Sequence, residues 1–317
     1  MKETIVVALG GNAILQRGER GTFDEQLANV QKTCAQLVPV TLSGDRRLVI
    51  THGNGPQVGN ILIQHDTAKE IVPAMPMDVC GAKSQGLIGY MFGLAFRNLL
   101  AEAKRDEVPV ATVVTQVRVE STDPAFENPS KPVGPFYSEE EAKELEASKG
   151  WTVVEDAGRG WRRVVPSPDP KEIIERESIR ALVESGAIVV STGGGGIPVV
   201  RDNGTLRGVE AVIDKDLGGQ QLARDLGASA FLILTDVDAA RINYGKEDEE
   251  KLGTITVSEG RRYLAEGHFA KGSMGPKVEA ALRFVEGGGQ RAIIASLQNA
   301  SAAIEGTSGT QIVPDKR

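Results

Sequence analysis

The sequence is poor in aromatic residues and cysteine and contains no long apolar run, and each shortage excludes a class of protein. Aromatic residues make up only 4% of the 317 positions, which argues against a platform that stacks the bases of single-stranded nucleic acid. The two cysteines, Cys34 and Cys80, lie far apart, so we expect free thiols with no role in catalysis and a reducing compartment. The apolar run Ile5–Leu9 is too short for a signal peptide or a membrane span. These shortages predict a cytoplasmic protein with no membrane partner.

An excess of positive charge is also lacking. The chain has 36 Lys and Arg against 43 Asp and Glu, a formal charge of −7, so no overall field attracts a polyanion and no nucleic acid partner is expected. Any phosphate must therefore be bound by local groups. The length, with 40% hydrophobic and 25% charged residues, suffices for a large core and indicates about two structural units.

Short apolar runs alternate with periodic, helix-like stretches along most of the chain. The predicted strands are Ile5–Leu9, Leu48–Thr51, Val110–Thr115, Ala187–Ser191, Ala230–Thr235 and Arg291–Ala295. The predicted helices include Phe23–Leu37, Ser84–Ala103, Pro170–Ser185 and Asp216–Leu226. Apolar strands that alternate with helices predict an α/β fold, in which an open, mostly parallel, twisted sheet has helices on both faces.

The region from about Gln116 to Pro170 interrupts this alternation. It is proline-rich and polar, and its end holds two alternating segments around Ala157, Gly158, Arg159 and Gly160 that are typical of a hairpin. A long excursion inside an α/β unit is usually an insertion, often a lid. A solvated loop without function is the alternative interpretation.

Glycine clusters follow three of the predicted strands. They are Gly10-Gly11-Asn12, Gly53-Asn54-Gly55 and Gly193–Gly196. In open α/β sheets, ligands bind at the carboxyl ends of the strands, and glycine lets backbone N–H groups approach an anion closely. Each cluster could be only a tight turn, but three at equivalent ends favour an anion-binding edge.

None of these clusters is a standard fingerprint. In GNGPQVGN, Val58 stands where the dinucleotide pattern GxGxxG requires its third glycine, and the chain has no GxxxxGK[ST] and no GxSxG. His52, His65 and His268 lack the spacing of metal ligands. A serine hydrolase is therefore poorly supported, and we interpret His52 as a structural histidine.

Two lysines stand where helices are predicted to begin. Lys215 precedes one apolar periodic stretch, and Lys277 follows Pro276, which suits the first helical position. A helix N-terminus already favours an anion, so a cation there is unfavourable for the helix alone. Asp214 and Asp216 supply some compensating negative charge, and capping of the helix by these carboxylates is the alternative interpretation. Two such lysines at two helix N-termini are explained together if a polyphosphate lies between them.

Motifs along nearly the whole chain resemble the carbamate kinases of the amino acid kinase superfamily. The resemblance runs from Val6 to beyond Leu297 and is carried by ALGGNAIL, THGNGPQVGN, DVCGAKSQGLIGY, NPSKPVGPFY, GRGWRRVVPSP, STGGGGIPVV, VEAVIDKDL, ILTDVDA and FAKGSMGPKVEA. It implies an open sheet of about eight strands. It also implies reversible phosphoryl transfer, in which ADP and carbamoyl phosphate give ATP and carbamate with Mg²⁺.

The resemblance also implies roles for individual residues. Lys131, Lys215, Lys277 and Asp214 would be catalytic, with Asp214 positioning the lysines and Lys131 reaching down from the insertion. Gly10, Gly11, Asn12, Gly53 and Asn54 would bind the phosphoryl group and carbamate, and Thr235, Asp236, Val237, Tyr244, Met274 and Gly275 would bind the nucleotide. Mg²⁺ would be held mainly by nucleotide phosphates. Carbamate is already anionic, so positioning and electrostatic stabilisation suffice and no general base is needed.

The same resemblance implies an organisation into two lobes. An N-terminal lobe of about 1–205 would take carbamoyl phosphate and form a homodimer, a lid of about 116–170 would protrude from it, and a C-terminal lobe of about 206–317 would bind the nucleotide. A related carboxylate kinase, such as acetylglutamate kinase, and a non-catalytic nucleotide-binding protein are the alternatives. The sequence leaves open whether the enzyme serves arginine breakdown or supplies carbamoyl phosphate.

Overall fold

Seventeen strands are found in residues 2–156, 158, 160–270 and 272–315, the part of the chain that the computed structural model describes. They are β1 (Glu3–Leu9), β2 (Arg46–His52), β3 (Val110–Thr112), β4 (Gln116–Arg118), β5 (Lys131–Tyr137), β6 (Thr152–Glu155), β7 (Trp161–Val165), β8 (Glu172–Ile173), β9 (Ile188–Val190), β10 (Ile197–Asp202), β11 (Thr205–Gly208), β12 (Ala230–Thr235), β13 (Arg241–Ile242), β14 (Glu250–Lys251), β15 (Thr254–Thr256), β16 (Arg291–Ser296) and β17 (Thr310–Val313).

Nine α-helices are found in the same described residues. They are α1 (Phe23–Leu42), α2 (Gly55–Ala68), α3 (Met77–Glu102), α4 (Glu139–Lys149), α5 (Arg176–Glu184), α6 (Lys215–Asp225), α7 (Val257–Ala265), α8 (Met274–Glu286) and α9 (Ala300–Ile304). Within those residues, no helix has the length and apolar character needed to cross a membrane.

Eight strands form one continuous sheet in the order β15-β17-β16-β12-β1-β2-β9-β3. All neighbours in it are parallel except β16 and β17, which pair antiparallel. The predicted open, mostly parallel sheet of about eight strands is therefore confirmed.

The two faces of this sheet bury alternate residues of each strand. In β1, Val6 and Ala8 join the core beneath α5, α6 and α8, whereas Ile5, Val7 and Leu9 join the core beneath α1, α3 and α9. Because both faces are covered, the buried stretch Ile5–Leu9 of β1 is apolar at every position, which is the pattern from which the sequence predicts it.

Several predicted bounds differ from those in the structure. The predicted strand Val110–Thr115 ends at Thr112, and the predicted helix Pro170–Ser185 begins only at Arg176, because β8 pairs with β4. Helix α1 continues past Pro39 to Leu42. Proline removes one hydrogen bond of the helix, but Val38 and Val40 on either side are buried in the core, and their burial offsets that loss.

The region predicted as an insertion contributes to two smaller sheets. Strands β11-β10-β4-β8 form one, and β5-β7-β6 form another that carries α4. Strands β6 and β7 pair antiparallel as the predicted hairpin requires, although Ala157 and Arg159 in its turn lie outside the described residues. The division into two lobes stays a prediction.

Candidate active site

The strand ends that carry glycine meet at one edge of the sheet. Strands β12, β1, β2 and β9 are parallel neighbours, so their carboxyl ends lie side by side. The Gly10 N–H donates to the Leu234 carbonyl over 3.0 Å, and the Gly53 N–H donates to the Leu9 carbonyl over 3.2 Å. A Cβ added at Gly53 would lie 3.2 Å from Lys215 Cδ and 3.7 Å from the Gly11 nitrogen. The structure therefore brings two of the glycine segments against one of the predicted lysines.

Two neighbouring carboxylates hold three lysines that come from distant parts of the chain. Lys131 Nζ, on β5, donates to Asp214 Oδ2 over 2.8 Å. Lys215 Nζ donates to both oxygens of Asp216 at 2.8 and 2.9 Å, and Lys277 Nζ reaches Asp216 Oδ2 at 3.2 Å. Asp216 is only 2% exposed. A compact group of three cations and two anions, with one net positive charge, therefore lies beside the glycine edge.

Asp214 combines two tasks. Its Oδ1 caps α6 by accepting hydrogen bonds from the N–H groups of Asp216 and Leu217, and its Oδ2 holds Lys131. Burial would raise the pKa of Asp214, but the charges of Lys131 and Lys215 outweigh it and keep the pKa below its usual value. Capping and lysine binding, which the sequence leaves as alternatives, are thus both present.

Asp216 is the residue that sequence reasoning undervalues. The resemblance gives Asp214 the task of positioning the lysines, whereas the structure gives Asp214 only Lys131 and gives Asp216 the other two. The signal available in the sequence was its place directly after Lys215. Burial lowers the pKa of Lys277, and the charge of Asp216 opposes that lowering.

Helix α8 begins two residues earlier than expected. Its first residue is Met274, so Pro276 is the third helical residue and not the first. Proline is tolerated there because the N–H groups of the first turn have no partner within the helix. Ser273 precedes the helix without a side-chain capping bond, and the Gly275 N–H in the first turn donates instead to the Ala270 carbonyl over 2.9 Å.

A cavity of about 1090 Å³ opens beside the lysine group. The predicted site residues that line it are Gly10, Gly11, Asn12, Lys215, Thr235, Asp236, Val237, Tyr244, Met274 and Lys277. The predicted residues outside its lining are Gly53, Asn54, Lys131, Asp214 and Gly275. The lining also includes Asn243, His268, Phe269 and Leu297, to which the sequence analysis gave no binding role. Phe269 is the first residue of the motif FAKGSMGPKVEA, and this was the available signal.

The third glycine cluster lies against the side chain of Asn54. Thr192, which precedes it, adopts a left-handed backbone with φ 54°, which costs a β-branched residue on the order of 1–3 kcal/mol. Hydrogen bonds fix it there, because its carbonyl accepts from Thr51 Oγ1 at 2.9 Å and its N–H donates to Thr115 Oγ1 at 3.0 Å. Gly194 follows with φ +68°, and a Cβ there would lie 2.2 Å from Asn54 Nδ2. The turn is therefore shaped to let the Asn54 side chain approach its backbone.

The buried histidine and the cysteines are structural. His52 is fully buried, its ring hydrogen-bonds the Gly53 carbonyl at 2.8 Å, and burial lowers its pKa to about 4, so it is neutral at pH 7. Cys34 and Cys80 are both free and buried, and burial raises the pKa of each thiol. Neutral thiols of this kind are poor nucleophiles.

A metal would find few uncommitted carboxylates here. In residues 2–156, 158, 160–270 and 272–315, no group of three or more His, Cys, Asp or Glu side chains could hold a metal ion. Asp214 and Asp216 are each paired with lysine. This donor set suits a cation that arrives with phosphate oxygens as its main ligands, as Mg²⁺ commonly does.

Comparisons with known proteins agree with this geometry. The chain matches the sequence model of the amino acid kinase family over residues 3–296. It is 61% identical over 311 residues to a carbamate kinase from Thermococcus kodakarensis, and the match covers 98% of each chain. It is 56% identical to a carbamate kinase from Pyrococcus horikoshii, over 99% of this chain and 100% of the relative. The structure of a carbamate kinase from Giardia lamblia bound to AMP-PNP superposes with a TM-score of 0.94 at 48% identity and covers 99% of both chains.

Proposed function

This chain belongs to the amino acid kinase family and is a carbamate kinase, and on that premise we propose that its three clustered lysines stabilise the phosphoryl group in transit. The observation that carries the proposal is the arrangement of Lys131, Lys215 and Lys277 around two carboxylates at the glycine edge. The reaction is the reversible conversion of carbamoyl phosphate and ADP into carbamate and ATP. Carbamate then gives ammonia and carbon dioxide.

The chemistry requires charge to be gathered rather than protons to be moved. In the direction of ATP formation, a β-phosphate oxygen of ADP attacks phosphorus, and the bond from phosphorus to the carbamate oxygen breaks, with the electron pair leaving on carbamate. Nucleophile and leaving group are both anions, so no base is needed, and catalysis consists of alignment and stabilisation of charge. Lys215 and Lys277, held by the buried Asp216, supply fixed positive charge for that purpose.

The remaining predicted residues divide between the two substrates. Gly10, Gly11 and Asn12 would hold phosphoryl oxygens next to Lys215, through the backbone N–H groups of Gly11 and Asn12, because that of Gly10 donates to the Leu234 carbonyl. Gly53 and Asn54 would lie on the carbamate side. The nucleotide would lie in the cavity of about 1090 Å³, contacting Thr235, Asp236, Val237, Tyr244, Met274 and Gly275. The AMP-PNP bound to the Giardia relative supports a nucleotide in this fold.

Mg²⁺ would accompany the nucleotide. It would supply further positive charge to the phosphates, which would be its main ligands, because the site carboxylates are paired with lysines. What this chain supplies is the fixed frame of lysines and backbone donors around those phosphates.

The lid of about 116–170 would bring Lys131 to the substrate. Three lid cations contact carboxylates of the main body: Lys131 with Asp214, Lys149 with Asp66, and Arg163 with Glu210. Ion pairs at partly exposed positions are weak individually. Such contacts support a lid that closes over carbamoyl phosphate and opens to release product.

The location and assembly are likewise proposals. We expect the enzyme in the cytoplasm, in arginine metabolism, with an N-terminal lobe of about 1–205, a C-terminal lobe of about 206–317 and no nucleic acid or membrane partner. A homodimer is supported by exposed apolar side chains on the N-terminal helices, where Phe23 on α1 stacks on Tyr90 of α3.

The proposal is tested by the choice of substrates. Purified protein is given carbamoyl phosphate and ADP with Mg²⁺, and ATP is measured. The competing pair is acetylglutamate and ATP, with ADP measured. We expect ATP only from the first pair and no turnover of the second. Turnover of acetylglutamate alone, or nucleotide binding without turnover of either pair, would contradict it.

A further inference from the structure

The side chain of Asn54 does not cap helix α2, although its position at the N-terminus of that helix predicts that it would. Asn54 is the N-cap of α2, and asparagine is among the residues that best cap a helix, yet its side chain makes no capping bond. Instead its Nδ2 donates to Ser84 Oγ on α3 over 2.8 Å. A capping interaction worth about 1 kcal/mol is thus given up for a contact with a residue thirty positions away.

The bond to Ser84 fixes which end of the Asn54 amide faces outward. A serine hydroxyl has one hydrogen, and Ser84 Oγ donates it to the Gly81 carbonyl, 2.6 Å away. Ser84 can therefore only accept from Asn54, so the amide nitrogen must face Ser84. Reversing the amide would place two acceptor oxygens against each other next to a fully buried serine.

The carbonyl oxygen of Asn54 remains an acceptor without a hydrogen-bond partner among the residues that the structure describes. None of the hydrogen bonds within the described residues reaches Asn54 Oδ1, and the side chain is half-buried. The Asn54 amide lies against the backbone of Gly194. The preceding residue in the chain, Gly53, lies next to Lys215 and Gly11. The acceptor thus belongs to the segment that adjoins Lys215, where the proposed function puts the phosphoryl group.

We propose that Ser84 makes the site selective for an amino group, by holding the Asn54 amide so that Oδ1 accepts a hydrogen bond from the –NH₂ of the carbamoyl group. This inference rests on the proposed function. Ser84 is a positioning residue, and Asn54 is the residue that contacts substrate. Acetyl phosphate has a methyl group where carbamoyl phosphate has –NH₂ and would leave the acceptor unpaired, and buried polar groups without a partner are what reject such analogues.

The test compares two phosphorylated compounds in the intact enzyme. For Ser84→Ala, kcat/KM is measured with carbamoyl phosphate and ADP. For the same variant, the inhibition constant of acetyl phosphate in competition with carbamoyl phosphate is also measured. This constant can be determined whether or not the enzyme turns over acetyl phosphate. We expect kcat/KM to fall about tenfold while the inhibition constant changes by less than about twofold, because only carbamoyl phosphate uses the acceptor.

A control for the hydroxyl-to-carbonyl bond is available directly after α5. The exposed Ser185 Oγ donates to the Leu182 carbonyl over 2.7 Å, the same spacing along the chain as Ser84 to Gly81, but no asparagine donates to it in the described structure. Ser185→Ala should leave both constants unchanged. If Ser84→Ala does not yield folded protein, Ser84→Cys, which keeps the volume but accepts hydrogen bonds only weakly, is evaluated by the same two constants.

Equal loss for both compounds, or no loss for either, in folded Ser84 variants would overturn the inference. The KM for ADP should not change, which separates selectivity from general damage to the site. Failure of the wild-type enzyme to form ATP from carbamoyl phosphate would contradict the proposed function itself. Wild-type activity combined with unchanged selectivity in the variants would refute only the role of Ser84.

Discussion

The two ends of the active site are built in opposite ways. At the end proposed for carbamate, the side chain of Asn54 is held between α3 and a glycine turn, in which a single added methyl group at Gly194 would lie 2.2 Å from it. At the nucleotide end, a cavity of about 1090 Å³ opens to solvent, and Tyr244 at its border is 72% exposed. Under the proposed function, this difference means that the enzyme would fix the small reacting group rigidly and leave room for a large nucleotide to enter and leave.

The largest effect short of removing a lysine should come from Asp216→Asn. Asp216 pairs with both Lys215 and Lys277. Removing one partner of a buried ion pair lowers the free energy of unfolding by about 3–5 kcal/mol, and here it would also release the two lysines from their fixed positions. We expect kcat/KM for ATP formation to fall by at least about a hundredfold.

The same substitution should also change the pH profile. Burial already lowers the pKa of Lys277, and the charge of Asp216 opposes that lowering. In Asp216→Asn the lysine should lose its proton at lower pH, so the alkaline limb of kcat/KM should move to lower pH. Asp169, which pairs with Lys171 and Arg283 outside the cavity lining, provides a control in Asp169→Asn. An alkaline limb that does not move would contradict the role given to Asp216.

Gly194→Ala tests the rigid end alone. The residue has φ +68°, and the added Cβ would displace Asn54, so we expect kcat/KM for carbamoyl phosphate to fall about tenfold or more with little change in the KM for ADP. Gly204→Ala is matched, because Gly204 has φ +85° but nothing within 4 Å of the added Cβ. Both variants should lose a similar amount of stability in thermal unfolding. An equal loss of activity in Gly204→Ala would show that backbone strain, not contact with Asn54, is responsible.

The lid should show a smaller effect. Lys149→Met breaks the pair between Lys149 on the lid and Asp66 on α2, and such exposed pairs are worth up to about 1 kcal/mol, or about fivefold in KM for carbamoyl phosphate. Lys143→Met, which breaks a pair within α4, is the control. Hydrogen exchange should show added protection around Lys131 when carbamoyl phosphate binds. Absence of that protection would argue against closure.

The smallest effect on turnover should come from replacing both cysteines with serine. Cys34 and Cys80 are 0% exposed and lie in two different apolar clusters, so polar replacements should lower the melting temperature. Steady-state kcat should stay near that of the wild type. A folded double variant with severely reduced kcat would show that a thiol takes part in the reaction.

Sequence patterns located the sheet and the edge of the site because these depend on local signals. The apolar runs of β1 and β12 and the glycines after β1 can be identified along the chain. The GNGPQVGN stretch gave no prediction of α2, because its glycines and Pro56 are also typical of loops, although proline is compatible with the first turn of a helix.

Pairings across the chain could not be predicted in the same way. Lys131 meets Asp214 over 83 positions, and Lys277 meets Asp216 over 61, and no local pattern encodes such distances. The orientation of the Asn54 amide depends on a hydroxyl of another helix. The residue types were visible in the sequence, but which carboxylate holds which lysine became visible only in the folded chain.

Lys277→Met is the measurement that tests the central claim most directly. The substitution keeps much of the length of the side chain and removes the cation. The quantity measured is kcat for ATP formation from carbamoyl phosphate and ADP. The control is Lys32→Met, at an exposed position on α1. We predict a loss of about 3 kcal/mol of transition-state stabilisation or more, mostly in kcat. The melting temperature should change little, because Asp216 loses its ion pair with Lys277 but keeps the one with Lys215, and the N-terminal end of α8 loses a cation. Turnover like that of the wild type in Lys277→Met would contradict the account.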